Sequence, residues 1–299
     1  MARELATLLT GGRFFEGPRW HDGTWWVSDF YRKAVFTVTT DGVETKQFEV
    51  EEQPSGMDWL PDGSLVVVSM KDRHLLRRTT DGTVEHYADL SAVAGGHLND
   101  MVIDSTGRTY VGNFGFDLMG GDDMVTANLV RVDPDGSIAV VADGLNFPNG
   151  TLITPDGTTL IVAETTGAGF IAFTIADDGS LTDRRVWGSM GEVPDTTSVM
   201  EALGAGAPAP DGCTLDAQGH IWFADAIGAR VARVAPGGEI VESVPMPEGL
   251  GAFACTLGGD DGRTLLICAA PDFFEHNRAH VEEAVLLTMR VDVPHAGRP

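Results

Sequence analysis

Residues 147–165 read FPNGTLITPDGTTLIVAET. Two short words in it, Asn149-Gly150 and Asp156-Gly157, both suit a tight turn. Glycine reaches positive φ, and Asn or Asp caps its own backbone. Asp156-Gly157 stands between two apolar, strand-like runs and reads as the turn of a hairpin. Asn149-Gly150 stands ahead of the first run, behind a proline. The same phrase returns as EGPRWHDGTWWVSDF, PSGMDWLPDGSLVVVSM, LNDMVIDSTGRTYVGNF, PDGCTLDAQGHIWFADA and AFACTLGGDDGRTLLICAA. The six turn glycines are Gly23, Gly63, Gly107, Gly157, Gly219 and Gly262, separated by 40 to 62 residues on subtraction.

A second phrase alternates with the first: VFTVTTDGVETKQF, LLRRTTDGTVEHYA, LVRVDPDGSIAVVA, IAFTIADDGSLTDRRVW and VARVAPGGEIVESV. Each is again strand, turn, strand. Two hairpins per repeat predict an all-β fold, a six-bladed β-propeller with four antiparallel strands per blade. The sixth repeat is a strand short. After TLLICAA comes only EAVLLTMRVDV, so ELATLLT near the N-terminus is expected to complete that blade and close the ring, which removes open strand edges. Residues 1–299 then form one domain. Two insertions interrupt the pattern: GFDLMGGDDM (115–124) and GSMGEVPDTTSVMEALGAGAPA (188–209), the second with a helical turn expected at SVMEAL. Loops of this length in a compact domain are either functional or tolerated at the surface.

The chain has 20 basic against 44 acidic residues, a net charge of −24. Such a surface repels phosphate backbones and anionic lipid, so neither nucleic acid nor membrane is expected as a partner. No stretch is long and apolar enough to span a bilayer. The opening MARELATLLTGGRFF carries Glu4 inside too short an apolar run for a signal peptide. Cys213, Cys255 and Cys268 each sit in a strand-like run and read as small core residues in a reducing, cytoplasmic setting.

The residues just ahead of the innermost strands are Glu16-Gly17, Ser55-Gly56, Asn99-Asp100, Asn149-Gly150, Asp211-Gly212 and Ala252-Phe253. In a propeller this level faces the mouth of the central channel. Four of the six offer a carboxylate or amide oxygen, and sixfold geometry aims them at one axis. Converging hard oxygens suit Ca²⁺, Mg²⁺ or Mn²⁺; no His/Cys set marks a structural zinc. Each Asn or Asp taken singly reads equally as a turn former. The DPDGS word at 133–137 has no glutamate where a calcium loop needs one. HNRAH, with His276 and His280, lacks the glutamate of a zinc-protease helix. No nucleophile elbow, P-loop or dinucleotide fingerprint is present.

EGPRW, LNDMVIDSTGR, FPNGTLITPDG and PDGCTLDAQGHIWFAD, in that order and at propeller spacing, resemble the senescence-marker-protein/gluconolactonase family of metal-dependent six-bladed propellers. The resemblance runs over nearly the whole chain. It implies that Glu16, Asn149 and Asp211 hold one divalent cation, Ca²⁺ with Mg²⁺, Mn²⁺ or Zn²⁺ as alternatives. It also implies that Asn99 meets substrate or metal-bound water and that Asp117 lies near a substrate-contacting acid. The implied reaction is lactone hydrolysis: the metal polarises the carbonyl, and Asp211 or a carboxylate beside it takes a proton from water. Gluconolactonase-like members carry an arginine two residues before the substrate asparagine. This chain has His97 there, a candidate donor or proton shuttle. Phe114, Phe116, Phe147 and Met200 suggest an apolar rim, with Phe114 and Phe147 as substrate contacts, which favours an aliphatic or aromatic lactone over a sugar lactone. The alternatives are phosphotriester hydrolysis at the same metal and a calcium-stabilised binding module without catalysis. A strictosidine-synthase-like propeller fits less well, because that chemistry relies on one acid without metal.

Overall fold

The computed structural model describes residues 3–297. Six four-stranded antiparallel sheets are arranged in a ring. Their innermost strands are Phe15–His21, Pro54–Trp59, Leu98–Ile103, Pro148–Ile153, Pro210–Leu215 and Gly251–Gly258. All six turn glycines have positive φ, between 68° and 91°. Burial is graded across each blade. Pro148–Ile153 is buried at every position, whereas the outermost strand of that blade, Leu181–Ser189, is mostly exposed. Inner strands, covered on both faces, therefore read as small and apolar; outer ones carry the charge.

The sixth blade takes its outermost strand from the other end of the chain. Ala6–Gly12 pairs antiparallel with Ala284–Arg290, in the register Ala6↔Thr288 to Gly12↔Ala284. Arg3 extends this closure to the neighbouring blade: its Nε lies 2.5 Å from Glu242 Oε1, and it also reaches Asp292. Cys213, Cys255 and Cys268 are free thiols buried in the strands. No helix among the described residues is long and apolar enough to cross a membrane.

One irregularity recurs at the same level of every blade. Pairing of the innermost strand with its neighbour slips between Glu16 and Arg19, Pro54 and Met57, Leu98 and Met101, Pro148 and Thr151, Pro210 and Cys213, and Ala252 and Ala254. A bulge of this kind bends the strand and re-aims its side chains. Here it turns the strand head toward the channel axis. The glycines that follow are required by crowding. A Cβ on Gly17 would lie 2.6 Å from Ser55 O, one on Gly150 2.6 Å from Asp211 O, and one on Gly212 2.6 Å from Ala254 Cβ, in each case on the next blade. Asn149-Gly150 is thus a bulged strand head, and its glycine is there so that two blades can touch.

Candidate active site

Five of the six strand heads, those of blades 1, 3, 4, 5 and 6, line one pocket at the mouth of the channel. Glu16, Asn99, Asn149 and Asp211, supplied by blades 1, 3, 4 and 5, line it together. Asn149 Nδ2 donates to Thr165 Oγ1 at 3.2 Å, and that hydroxyl donates to Pro210 O at 2.9 Å. The same side chain lines the pocket and hydrogen-bonds the Asp211 carboxyl beside it. Asn99 is held similarly, its Nδ2 donating to Pro148 O at 3.4 Å. Glu16 Oε2 accepts the N–H of Gly17 at 2.9 Å.

The three blades that supply Glu16, Asn149 and Asp211 share a further device. In each, an acid at the end of the second strand accepts N–H groups from the loop leading to the pocket residue. Asp29 accepts from Arg13 and Phe14 at 2.9 and 3.2 Å, Glu164 from Asn146 at 2.7 Å, and Asp225 from Ala209 at 3.0 Å. Each clamp acid has its own arginine: Arg32 at 2.6 Å, Arg184 at 3.8 Å and Arg230 at 2.9 Å. The loops are therefore fixed through charge-assisted bonds.

The electrostatics separate the pocket floor from its supports. Buried Asp29, Asp100, Asp104, Glu164, Asp216 and Asp225 each lie within 4 Å of an arginine nitrogen, Asp100 through Arg19 at 2.8 Å. Among the described residues, Asp211 is the one buried carboxylate without a basic partner, and Glu16, half-buried in the pocket lining, also lacks one. Burial, with the charge of Asp211 next, pushes Glu16 well above the usual carboxylate range. Asp211 is raised in the same direction by burial and then by Asp100. Two enclosed carboxylates without counter-charge are unfavourable unless protonated or joined by a cation. A dication would neutralise both. The donor set of two carboxylates and two amides, all oxygen, matches hard ions. No group of three or more His, Cys, Asp or Glu suited to a metal occurs among the described residues, so the amides are needed to complete the set.

His97 and Asp117 are not in this pocket. They line a separate polar depression with Lys71, Arg73, Asp122 and Asp123. Phe114 stands between, its ring centroid 5.9 Å from that of His97. Burial pushes the His97 imidazole below its ordinary value. Asp117 Oδ1 accepts the N–H of Gly120 at 2.8 Å, so that carboxylate caps its own loop. Phe114 and Phe147 do line the pocket, stacked at 4.6 Å. Phe116 is buried behind them. Met200 points outward, 60% exposed. The expected helical turn is α1, Val199–Gly204, capped by Ser198 Oγ on the N–H of Glu201, and its 199/203 face, not Met200, meets the pocket.

Thr165 went unrecognised in the sequence although a signal for it exists. The final letters of the six phrases are Phe30, Met70, Phe114, Thr165, Ala226 and Ala270. Only one is polar, and it is the residue that orients Asn149.

The family model for the SMP-30/gluconolactonase/LRE-like region matches residues 14–271. The chain belongs to this family. As an SMP-30/gluconolactonase-like propeller, it is 27% identical to the pentonolactonase XacC of Haloferax volcanii over 313 aligned positions, covering 97% of this chain and 94% of that protein. A solved gluconolactonase structure from Xanthomonas campestris superposes with a TM-score of 0.74 at 24% identity, over 98% of this chain and 90% of the other. A calcium-binding regucalcin from Agrobacterium tumefaciens superposes with a TM-score of 0.76 at 19% identity, over 100% and 96%. These two likenesses establish the shared propeller.

Proposed function

We propose that this protein is a metal-dependent lactonase. The observation that carries the reading is the pair Glu16 and Asp211, carboxylates of the pocket without an arginine, whereas every other buried acid among the described residues has one. The names of its relatives, a pentonolactonase and a gluconolactonase, agree with it. Glu16, Asn149 and Asp211 would hold one divalent cation, Ca²⁺ in the first instance, as the likeness to a calcium-binding regucalcin suggests. When bound, such an ion supplies positive charge that polarises an acyl oxygen and lowers the pKa of water.

The chain's own residues do the rest. Asn99, anchored through its amino group, orients the attacking water with its carbonyl oxygen. Asp211 accepts the proton as the water oxygen bonds to the acyl carbon. The ring C–O bond breaks, and the departing oxygen takes up the proton that Asp211 accepted from water, giving a hydroxy acid. The phenylalanine walls exclude bulk water, which strengthens every charge interaction on the floor. His97 packs the wall from behind. Three buried thiols suit a cytoplasmic location.

The test is metal analysis of the purified protein followed by lactone hydrolysis with and without chelator. The expected result is about one divalent ion per chain, with activity lost on chelation and restored by metal. Full activity in metal-free protein would refute the reading. Phosphotriester hydrolysis is the second reading, favoured by the apolar walls, and a neutral triester assayed alongside separates the two.

A further inference from the structure

Resting on the lactonase reading, we infer that the substrate is a lactone carrying an alkyl or aryl substituent rather than a polyhydroxylated sugar lactone. The pocket is divided sharply. Its polar residues are the four floor oxygens' owners plus Thr165 and Thr166, and the other twelve of its eighteen lining residues are apolar, six of them phenylalanines. Phe14, Phe30 and Phe253 form one wall, with Phe14 5.0 Å from each of the others. Phe114 and Phe147 form another. Among the described residues, no Lys, Arg or His lines the pocket. His97, Lys71, Arg73 and Asp117 open into the separate depression lined also by Phe116.

The two insertions make the upper wall. Met124 N–H donates to Thr197 O at 2.7 Å, tying the 115–124 insertion to the 188–209 insertion. Leu118 and Met119 come from the first, Val199 and Leu203 from the second, and Ile227 joins them at the mouth. Met119 and Ile227 remain 41% and 42% exposed. A ring carbonyl on the floor leaves its substituent against these walls. Each methylene buried there should raise kcat/KM about fourfold, the effect of its transfer from water. Ring hydroxyls set against phenyl faces would lose their water partners without replacement, an effect of about tenfold or more.

The experiment is a series on the metal-loaded full chain: δ-valerolactone, its ring-substituted homologues from methyl to heptyl, the phenyl derivative and glucono-1,5-lactone. The expected result is a rise of about fourfold per carbon over the first members, with gluconolactone at least ~10-fold below the butyl member. Ile227→Asp, at an exposed rim position, should lower the longest-chain substrate at least ~10-fold more than δ-valerolactone. A flat series, a preference for gluconolactone, or equal losses across the series in Ile227→Asp would overturn the inference and leave lactone hydrolysis standing. Failure to hydrolyse any member would overturn the lactonase reading and this inference with it.

Discussion

The two ends of one hairpin carry nearly the same word to opposite purposes. At the turn end, Asp156 is exposed and its Oδ1 accepts from the N–H and hydroxyl of Thr158 and from the hydroxyl of Thr154. Those bonds hold the carboxyl below its ordinary range, the Thr154 hydroxyl contributing most. Gly157 has φ 74°, and a Cβ there would meet nothing within 4 Å. At the mouth end, Asn149 is buried and oriented from outside by a threonine, and Gly150 lies against the backbone of the next blade. The difference is one of neighbours. A turn residue satisfies itself, whereas a strand-head residue in a propeller is shaped by the adjoining blade and aims at the common axis.

The same substitution at a strand head, Asp211 of the next blade, and at the turn, Asp156, should separate the two roles most widely. Asp211→Asn is expected to cost about 10²-fold or more in kcat. It should leave the metal-free melting temperature unchanged or raised, because an uncompensated buried charge is removed. Asp156→Asn should change kcat less than about twofold, since surface changes away from special features do little. Saturating metal should stabilise the wild type by about 2.7 kcal/mol at a hundredfold excess over Kd, and the Asp211 variant far less. Wild-type turnover by metal-free Asp211→Asn would show that chemistry lies elsewhere.

Glycine replacement is next in size. Gly150→Ala drives a Cβ to 2.6 Å from both Asp211 O and Cys213 Sγ. Overpacking of this kind costs about 1–3 kcal/mol. Gly157→Ala meets open space and bears only the left-handed backbone cost, at the low end of about 1–2 kcal/mol. Thermal unfolding of the two variants gives the comparison directly, and equal shifts would deny that blade contact is what selects glycine at the mouth.

Thr165→Val keeps shape and removes the hydroxyl between Asn149 and Pro210. Metal affinity is expected to fall about tenfold, as when a supporting group behind a ligand is lost. Turnover should recover at high metal, and Thr165→Ser should retain most of the affinity. Titration of bound metal in the three proteins decides this, and an unchanged affinity in Thr165→Val would remove the relay from the account. The smallest effect concerns His97. Arginine there should shift the ratio of gluconolactone to alkyl-lactone turnover by less than about threefold, because Phe114 separates that position from the pocket. A larger shift toward the sugar would mean that position 97 reads the substrate.

The repeats, the closing strand and the turn at SVMEAL were legible because each is a local signal: alternation, a turn glycine, a capping serine. The strand-head oxygens were legible because the repeat aligns them. The bulge beneath them was not, since it arises from pairing between strands. The resemblance sets His97, in place of an arginine, at the substrate beside Asn99, but the register breaks after Leu98 and His97 lines the neighbouring depression while Asn99 lines the pocket. Nor could the arginine partners of the buried acids be read in advance, because Arg19 finds Asp100 two blades away.

The pairing of Ala6–Gly12 with Ala284–Arg290 has a kinetic consequence. Contacts between segments so far apart in sequence are slow to form, because a long loop must close before any contact rewards it. Residues up to Asp211 already contain all the side chains assigned to the cation, yet the curvature that brings blades 1, 4 and 5 to a common axis is fixed only when the last blade receives its fourth strand. Refolding should therefore show two clocks, an early one in β-structure as separate blades form and a late one in metal uptake as the circle locks.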